Sequence, residues 1–288
     1  MEFDTKDTDK ILGMNRTLFL AIVILLCILS VCVGIYAQFF YKYAKIDKFM
    51  FGIGRGQAQD DEEIKQLKNQ FDDMFTNDIE SNGEYSFDSK DKSKDIVYTS
   101  KTSSKESENY SIDINIPTIN INSETADKMN KEIDTLFNSK LESVTSNSSQ
   151  KTIYNISYKA YVNGQLLSLI IKSTLKEGNN SQTVIIKTYN YNLASNEEAS
   201  FLDVLDVKEL NRDEVQIDID SELKSLNDKD AELKKTTNYD IKLRDLNSDI
   251  YDVKNVENFI VNTNGYLYVI YAYGNKELTS KHDVIIFK

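Results

Sequence analysis

The chain has 288 residues, with 34 Lys and Arg against 46 Asp and Glu, a formal net charge of −12. That balance repels phosphate backbones and anionic lipid surfaces, which excludes nucleic acid as a partner and favours cationic ones. Both cysteines, Cys27 and Cys32, fall in an apolar run near the start, so the remainder has neither disulfides nor thiolate metal sites.

That run, Thr17–Ala37, reads TLFLAIVILLCILSVCVGIYA, twenty-one residues without a charged side chain. At about 1.5 Å per residue, such a helix spans roughly 31 Å, the thickness of a bilayer's hydrocarbon core. Thirteen of its residues are Leu, Ile, Val or Phe. Together they contribute about −4 to −8 kcal/mol of insertion free energy. A cleaved signal peptide would have a shorter apolar region ending in a small-x-small site, whereas Ile35 opens Ile35-Tyr36-Ala37 with a bulky side chain. Leu26 and Val31 precede the cysteines where lipoprotein attachment needs a small residue. One N-terminal transmembrane helix is therefore expected over 17–40, after a short cytoplasmic tail over 1–16, meeting the lipid bilayer through Thr17 to Ala37. Lys6, Lys10 and Arg16 precede it and Lys42, Lys45, Lys48 and Arg55 follow, so the basic residues do not choose an orientation. Tyr36, Phe39, Phe40, Tyr41 and Tyr43 form an interfacial aromatic belt.

A juxtamembrane linker follows over 41–59. Its FGIGRG superficially suggests a phosphate loop, but no strand precedes it and no Lys-Ser/Thr follows, so it reads as flexible chain. Residues 60–109 hold a helix and an irregular segment. The helix is expected over Asp60–Ile79, with Ile64, Leu67, Phe71 and Phe75 on one face. Ser81–Ser107 is polar and broken, apart from a short strand at Ile96-Val97-Tyr98.

Residues 110–288 read as one α+β domain. Tyr110–Ile121 alternates as a half-buried strand. Glu124–Val144 reads as a helix with Ser123 as N-cap, burying Ala126, Met129, Ile133, Leu136, Phe137, Leu141 and Val144. A meander comes next. Tyr154–Val162 alternates up to Asn163-Gly164, a two-residue hairpin turn. Gln165–Leu175 is apolar on both faces, as in mid-sheet, and Gly178-Asn179-Asn180 turns the chain into Gln182–Leu193. Phe201–Leu205 and Asp213–Leu226 are weakly helical, and Asn227–Asn238 is a polar link. Asn258–Val261 and Tyr266–Tyr273 form a second hairpin about Asn264-Gly265, and Asp283–Phe287 a last strand. The order predicts a mostly antiparallel sheet with covering helices.

Groups for chemistry are sparse. His282 is the only histidine, and a histidine zinc site usually needs two such ligands; it reads as a surface or edge side chain. The acidic pairs Asp72-Asp73, Asp218 with Asp220 and Asp228 with Asp230 have no spacing that marks a glycosidase. NDKDAEL lacks the Gly and closing Glu of a calcium loop. No catalytic residue, metal site or cofactor is expected. Tyrosines crowd the strands: Tyr154, Tyr158, Tyr161, Tyr189, Tyr191, Tyr266, Tyr268, Tyr271 and Tyr273. Exposed, they would form a recognition surface; otherwise they pack strands. Tyr271, Tyr273 and Asn275 are the candidate ligand surface.

YSIDINIPTININSETADKMNKEI, YKAYVNGQLLSLIIKS, KTYNYNLASNEEASFLDVL and GYLYVIYAYGN, in that order, resemble one ectodomain family over roughly Tyr110–Lys288. It is the uncharacterised paired domain of RsiV-type lysozyme-sensing anti-sigma factors and PdaC-type peptidoglycan deacetylases of Gram-positive bacteria. The resemblance implies an α+β domain outside the cytoplasm that binds a partner and does no chemistry itself. It points to a cationic protein such as lysozyme, or a cell-wall component, as ligand. The sixteen residues before the span are too few for a sigma-binding domain, so sigma sequestration is not expected, nor is deacetylation. An envelope-stress sensor acting through a membrane partner and a cell-wall hydrolase are the alternatives.

Overall fold

A computed structural model of the chain describes residues 10–11, 14–15, 62–147, 151–238, 241–272 and 282–288. The expected transmembrane segment and the linker over 41–59 lie outside these residues. Among the described ones, no helix is long and apolar enough to cross a membrane. The chain divides into two units, Met1–Arg55 and Gly56–Lys288. The described part of the first is a ladder of two short strands, β1 (Lys10–Ile11) and β2 (Met14–Asn15).

The second unit is α+β and sheet-dominated, as the order of elements predicts. Its large sheet is built on the expected meander: β6 (Thr152–Asn163), β7 (Leu166–Glu177) and β8 (Thr183–Asn192), paired antiparallel. Leu167, Leu169 and Ile171 on one face of β7 and Ile170 on the other are all buried, in separate clusters. The β6–β7 turn differs by one residue from expectation. Asn163 pairs with Leu166, so Gly164 and Gln165 are the central residues. Only Gly164 is left-handed, with φ 58°, the pattern of a type II′ turn with Gly first.

On its other side β6 carries two strands end to end, both parallel to it. β5 (Tyr110–Ile119) lies along Thr152–Ile156 and β3 (Ile79–Ser81) along Ala160–Val162. β4 (Val97–Glu106) pairs with β5 and makes one edge of the sheet, while β9 (Glu197–Glu198) joins β8 at the other. β4 is ten residues long where a short strand was expected. An edge strand with most of its residues exposed needs no apolar alternation, and Lys101 and Lys105 discourage pairing with another chain.

The helix expected over Asp60–Ile79 is shorter, α1 (Glu62–Asn69) followed by a 3₁₀ turn at Phe71–Asp73. The reason lies in the open edge of β6. Asn77, at φ 60°, turns the chain, and its N–H and Oδ1 bond Tyr158 O and N at 2.9 and 3.0 Å. Backbone groups of β6 that would otherwise be unsatisfied thus find partners. The expected face holds: Ile64 and Phe71 are buried, and Leu67 and Phe75 pack against the same cluster.

The next helix starts as predicted, with Ser123 Oγ accepting from Ala126 N at 3.1 Å. It runs as α2 (Glu124–Ile133), a π turn (Asp134–Asn138) and α3 (Ser139–Asn147). Its buried stripe steps by four from Met129 through Ile133 and Phe137 to Leu141. At about 3.6 residues per turn each such step over-rotates by about 40°, and the wider turn restores the facing. Leu136, expected inside, is 37% exposed.

A second sheet holds β10 (Phe259–Val261), β11 (Leu267–Ala272) and β12 (His282–Phe287), all antiparallel. Its residues divide by parity. Phe259, Val261, Leu267, Val269 and Ile285 pack with α4 (Phe201–Val207) and α5 (Arg212–Thr236). Ile260, Tyr268, Ile270 and Ile286 pack with α1, Tyr161 and Ile170. The sheets are joined by side chains. Along the edge of β10 that faces away from β11, Phe259 N bonds Thr188 Oγ1 at 3.1 Å and Val261 N bonds Ser168 Oγ at 3.1 Å. Asn190 Nδ2 donates to Phe259 O at 2.8 Å, and Asn190 Oδ1 accepts from Ser168 Oγ at 2.7 Å.

α5 does not stop at Leu226 but continues to Thr236. Val215, Ile219 and Leu223 bury one stripe, and Asn227 and Asp230 extend it by steps of four and three. Both bind Arg244: Asn227 Oδ1 accepts from its backbone N at 2.9 Å, and Asp230 Oδ2 from Nη1 at 2.6 Å. The same guanidinium grips Asp283 of β12 with two bonds of 2.6 Å. The polar second half is therefore held by a buried cation where a hydrophobic contact would otherwise stand.

Candidate functional site

An open groove of about 500 Å³ lies where α2, β8, the start of α4 and the segment before β10 converge. Thr125, Lys128, Met129 and Glu132 reach it from α2, spaced so that they share one face. Local interactions fix the walls. Tyr191 Oη lies 2.8 Å from Ser123 Oγ, tying β8 to the cap of α2. Ala199 N bonds Asn190 O at 2.9 Å, and Ser200 and Asp203 form a capping box that launches α4.

The floor is apolar, made by the buried Met129, Phe201, Val256 and Phe259. The rim carries Lys128, Lys187 and Lys254 against Glu132, Glu198 and Glu257. Lys187 pairs with Glu132 at 3.2 Å, and Lys254 with Asp252 at 3.2 Å. Tyr189 joins floor to rim. It is 3% exposed, its ring lies 5.9 Å from Lys187 Nζ, and its hydroxyl completes no hydrogen bond among the described residues. Burial pushes that hydroxyl's pKa upward, and the nearby Glu132 and Glu198 carboxylates push it further. Glu132 stands close without completing a hydrogen bond. A buried hydroxyl left in this state forgoes about 1–3 kcal/mol.

Of the candidate ligand surface, Tyr271 is 5% exposed and packs edge-on against Tyr251 with ring centroids 5.1 Å apart; Tyr273 and Asn275 lie outside the described residues. The odd parity that turns β11 residues toward α4 and α5 puts Tyr271 in the core. Tyr154, Tyr158, Tyr161, Tyr191 and Tyr268 are likewise buried and serve packing, while Tyr266 is only partly covered.

His282 lies on edge strand β12, but it is more enclosed than a surface residue. Its ring is 5.0 Å from that of Phe71, and burial lowers its pKa. Asp218, Asp220, Asp228 and Asp230 fall on helix α5, so NDKDAEL is helical and no loop. Among the described residues, no three His, Cys, Asp or Glu side chains converge to hold a metal ion. Sequence reasoning missed Lys159, which is 3% exposed and bonded to Asp78 and Glu80 at 2.6 Å each. It also missed the groove's Lys–Glu rim, whose members are far apart in sequence; only Tyr189 carried a signal, as one of the strand tyrosines.

No protein-family model and no curated protein matches the sequence. Among solved structures, the chain is similar to a DUF3298 family protein from Pseudomonas aeruginosa, at 13% identity and a TM-score of 0.39, over 63% of this chain and 83% of that one. It is also similar to a DUF3298 family member from Bacteroides fragilis, at 12% identity and a TM-score of 0.32, over 62% and 80% respectively.

Proposed function

We propose that this chain is a membrane-anchored binding domain held outside the cytoplasm, which recognises a protein or cell-wall ligand through the α2–β8–α4 groove without catalysis. The observation that carries this reading is the make-up of the groove: an apolar floor with Tyr189 buried beside it, beneath a rim of three lysines and three glutamates. Such a floor and rim suit a ligand with an apolar body and polar arms of both charges. The apolar run Thr17–Ala37 supports the anchor. Residues 1–16 carry three basic and four acidic side chains and 17–41 none, so 42–288 hold −11 of the −12 charges, which supports a cationic protein as ligand.

The test pairs two measurements on the full-length chain in nanodiscs. Binding of a lysozyme and of soluble wall glycan is titrated, and Tyr189→Phe and Lys187→Glu are compared with wild type. A saturable signal for either ligand that weakens in both variants is expected. Wild-type binding that neither substitution changes would remove the groove from the reading. Labelling of intact protoplasts with a membrane-impermeant biotin reagent must reach Lys128 and Lys254; protection of both would place the domain inside and end the proposal.

A further inference from the structure

α4 also borders a smaller cavity, of about 190 Å³, with a chemistry unlike that of the groove. Leu166 from the β6–β7 hairpin, Val204 and Val207 from α4 and Val261 at the end of β10 give it apolar walls. Asn163, Gln165, Asn192 and Asp203 supply its polar lining. One cation lines this space, Lys208 at the C-terminal end of α4. Its Nζ donates to Gly265 O at 2.5 Å, which uses one of three ammonium donors. Among the described residues, no carboxylate is within salt-bridge distance of it.

Asp203, also in the wall, is turned away from the lysine: its Oδ2 accepts from Ser200 N at 2.9 Å and from Ser200 Oγ at 2.6 Å. Burial lowers the pKa of Lys208 below the ordinary lysine value. The cavity thus offers hydrocarbon room and, at one end, a partly buried ammonium. A neutral apolar guest would leave the donors idle. A phosphate would bring more charge than one lysine can match.

We infer that this cavity binds a small apolar carboxylate, with its hydrocarbon body against Leu166, Val204 and Val261 and its carboxylate on the Lys208 ammonium. This site does not depend on the groove, and its test is separate. The full-length chain in nanodiscs, labelled at Val and Leu methyls, is titrated with benzoate and with its neutral counterpart benzamide. Benzoate is expected to shift the Val204, Val261 and Leu166 methyls and to bind more tightly than benzamide. Lys208→Met should weaken benzoate at least about tenfold, as loss of a charge-assisted hydrogen bond implies, and Lys208→Arg should retain it. Val207→Asp, on a side chain 83% exposed, keeps the core intact and should repel benzoate while sparing benzamide. Hexanoate and N-acetylleucine then tell a free acid from a peptide terminus, and binding of either supports the site. Methyls unmoved by benzoate, or equal benzoate affinity in wild type, Lys208→Met and Val207→Asp, would overturn the inference.

Discussion

Arg244→Ala should be among the costliest single substitutions in the chain. The guanidinium side chain is 3% exposed, and its two 2.6 Å bonds to Asp283 join a carboxylate that is itself 6% exposed. Removing the cation leaves Asp283 charged, buried and unpaired, a situation that costs about 3–5 kcal/mol. Asp230, 20% exposed, can turn partly to water and adds little. Asp283→Ala in the same background removes the stranded charge, so the double variant should recover about half the loss; the coupling is that recovery plus the cost of Asp283→Ala alone, hence at least about 2 kcal/mol. Lys at 244 cannot reproduce the two-pronged grip and should fall between. Urea unfolding of the full-length chain, followed by far-ultraviolet circular dichroism, gives each value. A loss below about 1 kcal/mol for Arg244→Ala, or strict additivity in the double variant, would show that the pair is not what holds the second half of α5 to β12.

Asn190→Leu strips the Phe259 carbonyl and the Ser168 hydroxyl of buried partners and should cost about 3 kcal/mol; amide exchange at Val261 should accelerate more than at Leu169. Gly164 and Gly83 both have empty space where a Cβ would sit, but only Gly164 has positive φ, at 58°. Gly164→Ala should therefore cost about 1 kcal/mol, while Gly83→Ala should stay within about 0.5 kcal/mol in the same unfolding assay. Lys159→Met tests linkage to pH. Burial raises the Asp78 pKa, but hydrogen bonds from Lys159 and Thr76 outweigh it and hold it below 3.8. Burial likewise lowers the Lys159 pKa, and its bonds to Asp78 and Glu80 lift it above 10.5. The depressed acid stabilises fully above 3.8 and loses its contribution as pH falls through its folded value; the raised lysine stabilises fully below 10.5 and loses its contribution as pH climbs through its folded value. The stability gap between wild type and Lys159→Met should be level between those limits and narrow outside them. A gap that is unchanged across the whole range would refute the assignment.

The meander was legible because its strands carry period-two alternation and Gly punctuation, and because β7 is apolar on both faces. Ser123 announced its helix by chemistry alone. β4 escaped notice since an edge strand rich in Ser, Thr and Lys has no apolar stripe to read. The extension of α5 was written in the spacing of Asn227 and Asp230, but a polar stripe gains meaning only once Arg244, distant in sequence, is seen to face it. Thr188 and Asn190 hid in the same way: they alternate with Tyr189 and Tyr191, so one face of β8 faces its core while the other presents polar groups to β10. Tyr271 misled for the opposite reason. A tyrosine in a sheet covered on both sides is core, and whether both sides are covered depends on α4 and α5 folding over it. The groove, drawn from four separate segments, left almost no local trace.

The side-chain seam between the sheets dictates an order of assembly. Phe259 and Val261 meet Thr188, Asn190 and Ser168 in place of a neighbouring strand, so β10 cannot settle until those three are already aligned on β7 and β8. A polypeptide synthesised from its first residue onward will complete the meander early and carry the later hairpin as loose cargo. Arg244 must wait longer: Asp230 of α5 gives it one carboxylate, but its two-bond partner Asp283 arrives only with β12. Pausing the ribosome between these elements should leave an intermediate that proteases trim back to the meander.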